Sequence, residues 1–223
     1  MESELLSKML QDVKAVIFDM DGTLIDSMYV WNEIDEEFLR RHKLEEPPEM
    51  KREIEGMRFI ETAIYFKERF QLEAPIEEIM AEWHTSAIEK YCTEVQCKPG
   101  VVSFLRYLKE AGYKLGVATS SSSELVTPCF EQLGLNPFFD VVVTGADVTH
   151  GKPDPEIYLM AAELLQVFPN RCLIFEDVVQ GIQSGISAGM KTCAVYDTFS
   201  VSSDEEKRKL ADYYIPSFTD LFL

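Results

Sequence analysis

The chain has 223 residues, 21 Lys and Arg against 39 Asp and Glu, a formal net charge of −18, and 46% hydrophobic positions. That excludes a disordered tail and a mini-protein: at roughly 100 to 200 residues per domain it is one large domain, or a core with a modest insertion, able to bury a sizeable core without staples. The acidic excess disfavours nucleic acid and anionic membrane surfaces, because the longest basic run is Arg40 to Lys43 with His42 inside it.

The opening MESELLSKMLQD lacks a basic start followed by an apolar run, and no later segment reaches the roughly 18 consecutive apolar residues of a bilayer span. A soluble, unexported, cytoplasmic protein is expected. The first predicted strand covers residues 13–18 and ends in Asp19 and Asp21, followed by Gly22 and Thr23. An Asp-Gly turn in which one carboxylate caps the next backbone amides is the plain reading. Such a turn needs one Asp, however, and two like charges this close repel unless a cation or a phosphoryl group is served by them. Asp19, at the strand's end, is the candidate nucleophile for an aspartyl phosphate. Asp21 is the candidate general acid and base, and Gly22 would let backbone amides approach a phosphate.

Residues 28–94 contain no convincing strand and read as three or four charged helices, broken at Pro47-Pro48 and Ala74-Pro75. This is a helical insertion directly after strand one, placed to cover a site at the sheet's ligand-binding end. Met28, Trp31, Asn32 and Arg58 are its candidate substrate-facing residues. Trp31 could equally be packing, as aromatic residues on amphipathic helices mostly are. His84 and His42 read as surface or packing histidines.

From residue 101 onward, strand and helix alternate: helices at 101–111, 122–133, 155–167 and 178–188, strands at 114–118, 141–144, 172–175 and 192–196. Repeated strand, helix, strand means right-handed crossovers and a parallel sheet with helices on both faces. The strand at 114–118 ends in Thr119 and Ser120 to Ser123, either an N-cap with spare serines or a hydroxyl and amide cradle for phosphate held by Thr119 and Ser120. Lys152 lies in a Gly-Lys-Pro-Asp-Pro loop. It is either a surface lysine or the group that neutralises a phosphoryl and keeps Asp19 ionised, with His150 bordering the site. The strand at 172–175 ends in Glu176 and Asp177 before a helix whose dipole alone could favour them. With Asp19 and Asp21 they make four convergent carboxylates, which call for a hard cation, Mg²⁺ fitting best. Ser203 with Glu206 reads as a capping box. The five cysteines, 92, 97, 129, 172 and 193, form no CxxC pair and lie away from the histidines, which argues for small buried thiols and against zinc.

Taken together, DMDGT at 19–23, ATSS at 118–121, Lys152 in GKPDP, and Glu176-Asp177 resemble the haloacid dehalogenase superfamily of phosphotransferases, over nearly the whole chain. The resemblance implies a Rossmann-like α/β core, residues 1–27 and 95–223, with an inserted all-helical cap, residues 28–94. That cap is similar to the one in the branch of small-metabolite phosphatases and β-phosphoglucomutase. It implies Asp19 as nucleophile and magnesium ligand, Asp21 as acid and base with its carbonyl on the metal, Thr119 and Lys152 on the phosphoryl group, and Glu176 and Asp177 completing the metal site. The dehalogenases lack the second Asp, so Asp21 argues for phosphoryl transfer. In the mutase pattern a cap histidine follows the first motif and a GxSR arginine binds the far phosphate. Here Trp31 stands at the first position, and in Gly56, Met57, Arg58, Phe59 the arginine is shifted by one. Hydrolysis of a small phosphorylated metabolite by a magnesium-dependent enzyme is therefore expected. A phosphomutase, or a non-catalytic binder of a phosphorylated ligand, is the alternative. Nothing demands a dimer, and a monomer is expected.

Overall fold

The structure, a computed structural model, describes residues 3–54 and 57–222. In chain order the elements are α1 (Glu4–Leu10), β1 (Ala15–Phe18), β2 (Ile25–Asp26), α2 (Met28–Arg41), α3 (Met50–Ile54), α4 (Phe59–Arg69), α5 (Ile76–Thr93), β3 (Gln96–Cys97), α6 (Val101–Glu110), β4 (Lys114–Ala118), α7 (Ser123–Leu133), β5 (Val141–Val143), α8 (Glu156–Leu164), β6 (Cys172–Glu176), α9 (Val179–Ser187), β7 (Lys191–Val195), α10 (Asp204–Leu210) and β8 (Tyr213–Ile215). Six strands form one sheet in the order β5-β4-β1-β6-β7-β8, every pairing parallel. The parallel sheet expected from the alternating pattern, and the Rossmann-like α/β core implied by the resemblance, are observed.

All four residues of β1 are fully buried, because helices cover both faces of the sheet. Side-chain alternation divides the strand between two cores. Val16 and Phe18 join a large cluster that includes Phe104, Phe130 and Phe175, while Ala15 and Ile17 join a smaller one with Tyr158 and Ala161 of α8. Phe18 stacks on Phe175 of the neighbouring strand at a centroid distance of 5.1 Å. These contacts fix the depth of β1 and β6, and so fix the residues that emerge at their C-terminal ends.

Four helices, α2 to α5, form the insertion, with α3 beginning after the Pro47-Pro48 break and α5 capped by Pro75. The chain enters it through β2 and leaves through β3, which pair antiparallel, Ile25 opposite Cys97 and Asp26 opposite Gln96. Both crossings thus lie side by side. The ladder, α1 and the edge strand β8 have no counterpart among the elements expected from sequence periodicity. Ser203 does occupy the N-cap of α10, but its backbone dihedrals, φ −100° and ψ 4°, depart from the extended shape a capping box needs, and its side chain makes no cap bond. All five cysteines are free, and Cys129, Cys172 and Cys193 are buried. Among the described residues no helix is long and apolar enough to cross a membrane.

Candidate active site

The C-terminal ends of β1, β4 and β6, adjacent in the sheet, bring the candidate residues to one edge. Asp19 continues the ladder of β1, its N–H donating to the Phe175 carbonyl at 3.0 Å, so its backbone is fixed. Its carboxylate accepts from Lys152 Nζ at 2.6 Å, and the same Nζ donates to Glu176 Oε1 at 2.5 Å. Lys152 is 7% exposed and its ammonium is held between two carboxylates, so it is no surface lysine. Burial works against its charge, but Asp19 and Glu176 more than offset this and raise its pKa.

Asp19, Glu176 and Asp177 are all buried, each offering an oxygen within 4.8 Å of the others. Burial lifts the Asp19 carboxyl to about 7, against the pull of Lys152 and with Glu176 adding to the rise. Asp177 is likewise pushed well above the usual carboxylate range by burial and by the charges of Asp19 and Glu176. Asp177 Oδ1 accepts from Thr23 Oγ1 at 3.2 Å, while Oδ2 is buried with no partner among the described residues. Clustered acids with one lysine between them, and an orphaned buried oxygen, fit a cation with a preference for hard oxygen ligands. Glu176 is already well supplied: Oε1 also accepts from Tyr158 at 2.9 Å, and Oε2 from the N–H groups of Asp177 and Val178. Gly181 makes this possible, since a Cβ there would come within 1.8 Å of Glu176 Oε1.

Asp21 is held by three hydroxyls. Ser27 and Tyr91 donate to Oδ1, Ser27 at 2.6 Å, and Ser121 donates to Oδ2 at 2.7 Å. Tyr91, from α5, is fully buried. The helical insertion therefore reaches into the candidate acid and base directly. Gly22 acts differently from its expected role. Its N–H donates to the Ile25 carbonyl, and with φ of +80° and no Cβ it makes room for Asp177, whose Oδ2 would lie 2.3 Å from a Cβ.

A cavity of about 490 Å³ opens above this floor, between core and insertion. Asp19, Asp21, Thr119, Ser120, Lys152 and Asp177 line its base. Thr119 is fully buried, and its Oγ1 accepts from the Ser121 N–H at 3.1 Å. Met28, Trp31 and Asn32, from the insertion, also line the cavity. Arg58 does not. It is the N-cap of α4, its guanidinium paired with Glu61 at 2.9 Å and donating to the Val148 carbonyl of the core at 2.8 Å. Gly56 lies outside the described residues. His150 is exposed and bonded to Glu156 at 3.3 Å, away from the cavity. His84 Nε2 lies 3.2 Å from Ser122 Oγ, and His42 packs on Phe38. Asp35, Tyr91 and Tyr158 are not marked by any sequence motif, while Ser121 lies in the ATSS segment, which assigns it no role of its own.

A model of the haloacid dehalogenase-like hydrolase family matches residues 16–195. The hexitol phosphatase A of Escherichia coli is 35% identical over 82% of this chain and 82% of its own. The pyrophosphatase PpaX of Bacillus cereus is 33% identical over 94% of each chain. The crystal structure of CbbY from Rhodobacter sphaeroides in complex with phosphate superposes with a TM-score of 0.83 over 94% of this chain and 96% of that one, at 24% identity, a likeness of fold alone.

Proposed function

The chain belongs to the haloacid dehalogenase-like hydrolases and is a phosphatase of that family, and on that premise we propose that it is a magnesium-dependent hydrolase of small-metabolite phosphomonoesters working through an aspartyl phosphate on Asp19. One observation carries the reading: a buried Asp19 bonded to Lys152 at 2.6 Å, beside Glu176 and Asp177, at the floor of a cavity of a size to admit a small molecule. Residues 28–94 act as a cap over a core of residues 1–27 and 95–223. The enzyme is taken to be a cytoplasmic monomer.

Asp19, the Asp21 carbonyl, Glu176 and Asp177 would hold Mg²⁺, which supplies charge neutralisation for the phosphoryl oxygens. A carboxylate oxygen of Asp19 attacks phosphorus, the P–O bond to the leaving group breaks, and Asp21 gives that oxygen its proton. Water then attacks the aspartyl phosphate, Asp21 takes the water's proton, and the Asp19–phosphorus bond breaks to release inorganic phosphate. Lys152, Thr119 and Ser120 bind the phosphoryl oxygens throughout. A mutase needs a group for a second phosphate, and Arg58, the residue nearest that pattern, is committed to Glu61 and Val148. That favours hydrolysis.

The test is phosphate release from a panel of phosphomonoesters, with Mg²⁺ and with chelator, by wild type and Asp19→Asn. We expect release that needs both metal and Asp19, with Asp19→Asn lowering kcat by at least about 10³-fold while its thermal midpoint stays near wild type. Normal release by purified Asp19→Asn would sink the nucleophile assignment. Isomerised β-glucose 1-phosphate with little free phosphate, in the presence of its bisphosphate, would make the enzyme a mutase.

A further inference from the structure

The cap side of the cavity carries polar groups that phosphoryl chemistry does not use. Asp35, on α2, is 8% exposed and lines the cavity. Among the described residues its carboxyl makes no hydrogen bond and no close ion pair, and the charges that act on it are those of Glu46, Lys51 and Glu36. The cap side of the lining is largely apolar, with Trp31, Ile54, Met57, Phe59 and Trp83, and its polar members besides Asp35 are Asn32, Lys51 and Thr62. The other buried residues of α2, Val30, Ile34, Phe38 and Leu39, are all apolar, so packing alone would be served better by a leucine at this position. Trp83 shows the same anomaly. It is 2% exposed, and its indole N–H has no partner among the described residues. Unpaired polar groups in an apolar wall burden the fold, and they make physical sense where a ligand completes them.

We infer that Asp35 is a specificity-determining residue that accepts a hydrogen bond from a hydroxyl of the leaving group, selecting phosphomonoesters of polyhydroxylated chains or rings. The inference rests on the hydrolase reading above and names which part of the substrate the cap reads. A polyol suits the lining because each hydroxyl both donates and accepts. It can give to Asp35 and receive from the Trp83 N–H, while Asn32 and Thr62, in the same lining, serve either way. The indole and phenyl faces of Trp31 and Phe59 cover its C–H surfaces. A cationic leaving group such as an ammonium alcohol would use the carboxylate alone, leave the indole N–H unpaired and meet Lys51, also in the lining.

The experiment measures kcat/KM for a hexitol phosphate, for hexyl phosphate of the same chain length without hydroxyls, and for ethanolamine phosphate, with wild type, Asp35→Leu and Asp35→Asn. The readout is the ratio between esters, which cancels any difference in the fraction of folded enzyme. Wild type should favour the hexitol ester over the hexyl ester by about 100-fold or more, a site built for hydroxyls discriminating strongly against analogues that lack them. Asp35→Leu should collapse that ratio by about 30-fold, and Asp35→Asn, which keeps shape and one acceptor, by about 3- to 10-fold. A ratio unchanged in both variants overturns the inference. So does a wild-type enzyme that is indifferent to hydroxyls or prefers ethanolamine phosphate. p-Nitrophenyl phosphate separates the two readings. If wild type hydrolyses it yet shows no hydroxyl preference, only the assignment of Asp35 falls. If wild type hydrolyses no ester, the hydrolase reading falls and this one with it.

Discussion

At the scale of the residue, Asp35 also predicts how stability varies with pH. Burial pushes its carboxyl up to about 7, with Glu46 and Glu36 adding to the rise and Lys51 opposing it. In the unfolded chain the same group titrates near 3.9. Below that value both states hold the proton and nothing is lost. As pH rises from about 4 to 7 the unfolded chain ionises while the folded one does not, so stability falls across that window and the penalty is constant above it. The gap corresponds to about 4 kcal/mol at most. Asp35→Asn removes the titration, so its gain in unfolding free energy over wild type should be roughly threefold larger at pH 8 than at pH 5. Urea unfolding at the two pH values measures this, and an equal gain at both would show that Asp35 is not buried as described. Nothing in the sequence marks Asp35, because one more acid in an acid-rich helical segment carries no signal until its burial is known. Asp19 and Asp21 differ: two acids ending an apolar strand are conspicuous because a buried strand seldom tolerates them.

Among the elements, α5 joins the insertion to the chemistry. Its Tyr91 donates to the Oδ1 of Asp21 that also accepts from Ser27, the N-cap of α2, while Ser121 reaches Oδ2 from the loop after β4. The candidate acid and base is thus held by the core, by the entry to the insertion and by its last helix together. Removing one of three fixed donors widens the range of positions the carboxyl can take, and positional freedom lowers the chemical step more than binding. Tyr91→Phe should therefore lower kcat by about 10-fold with KM changed less than about 2-fold, checked by steady-state kinetics on the best ester of the panel. A raised KM at constant kcat would mean that Tyr91 serves the cavity wall instead. The helices of the insertion are readable from their 3.6-residue period and their prolines, but the contact of Tyr91 is not, since it depends on how α5 docks. The two-residue strands β2 and β3 are too short to leave any period, and Arg58 reads as a free cap residue until its capture by Glu61 and the Val148 carbonyl is seen.

Over the whole molecule, an acidic protein has to admit an anionic ester. With a net charge of −18 the long-range field repels a phosphomonoester dianion, and the nearest cation, Lys152, is already shared between Asp19 and Glu176. Attraction therefore resides in short-range groups at the cavity floor, which salt screens little because they are buried, while repulsion resides in the surface, which salt screens well. Raising ionic strength from about 0.01 M to 0.15 M shortens the screening length from roughly 30 Å to 8 Å and removes most of the repulsion. With Mg²⁺ saturating and pH fixed, kcat/KM for a dianionic ester should then rise by about 2-fold or more, and kcat should stay flat because the bound complex is already inside the screened region. A fall in kcat/KM with salt would mean that the cavity mouth attracts anions from a distance, with Lys51 the first residue to test. The opposite sign is expected here because the insertion covering the cavity shares the acidity of the whole chain. On the proposed function, selection among phosphorylated metabolites is then left to contact inside the cavity, where Asp35 and the other insertion residues of the lining would meet the leaving group.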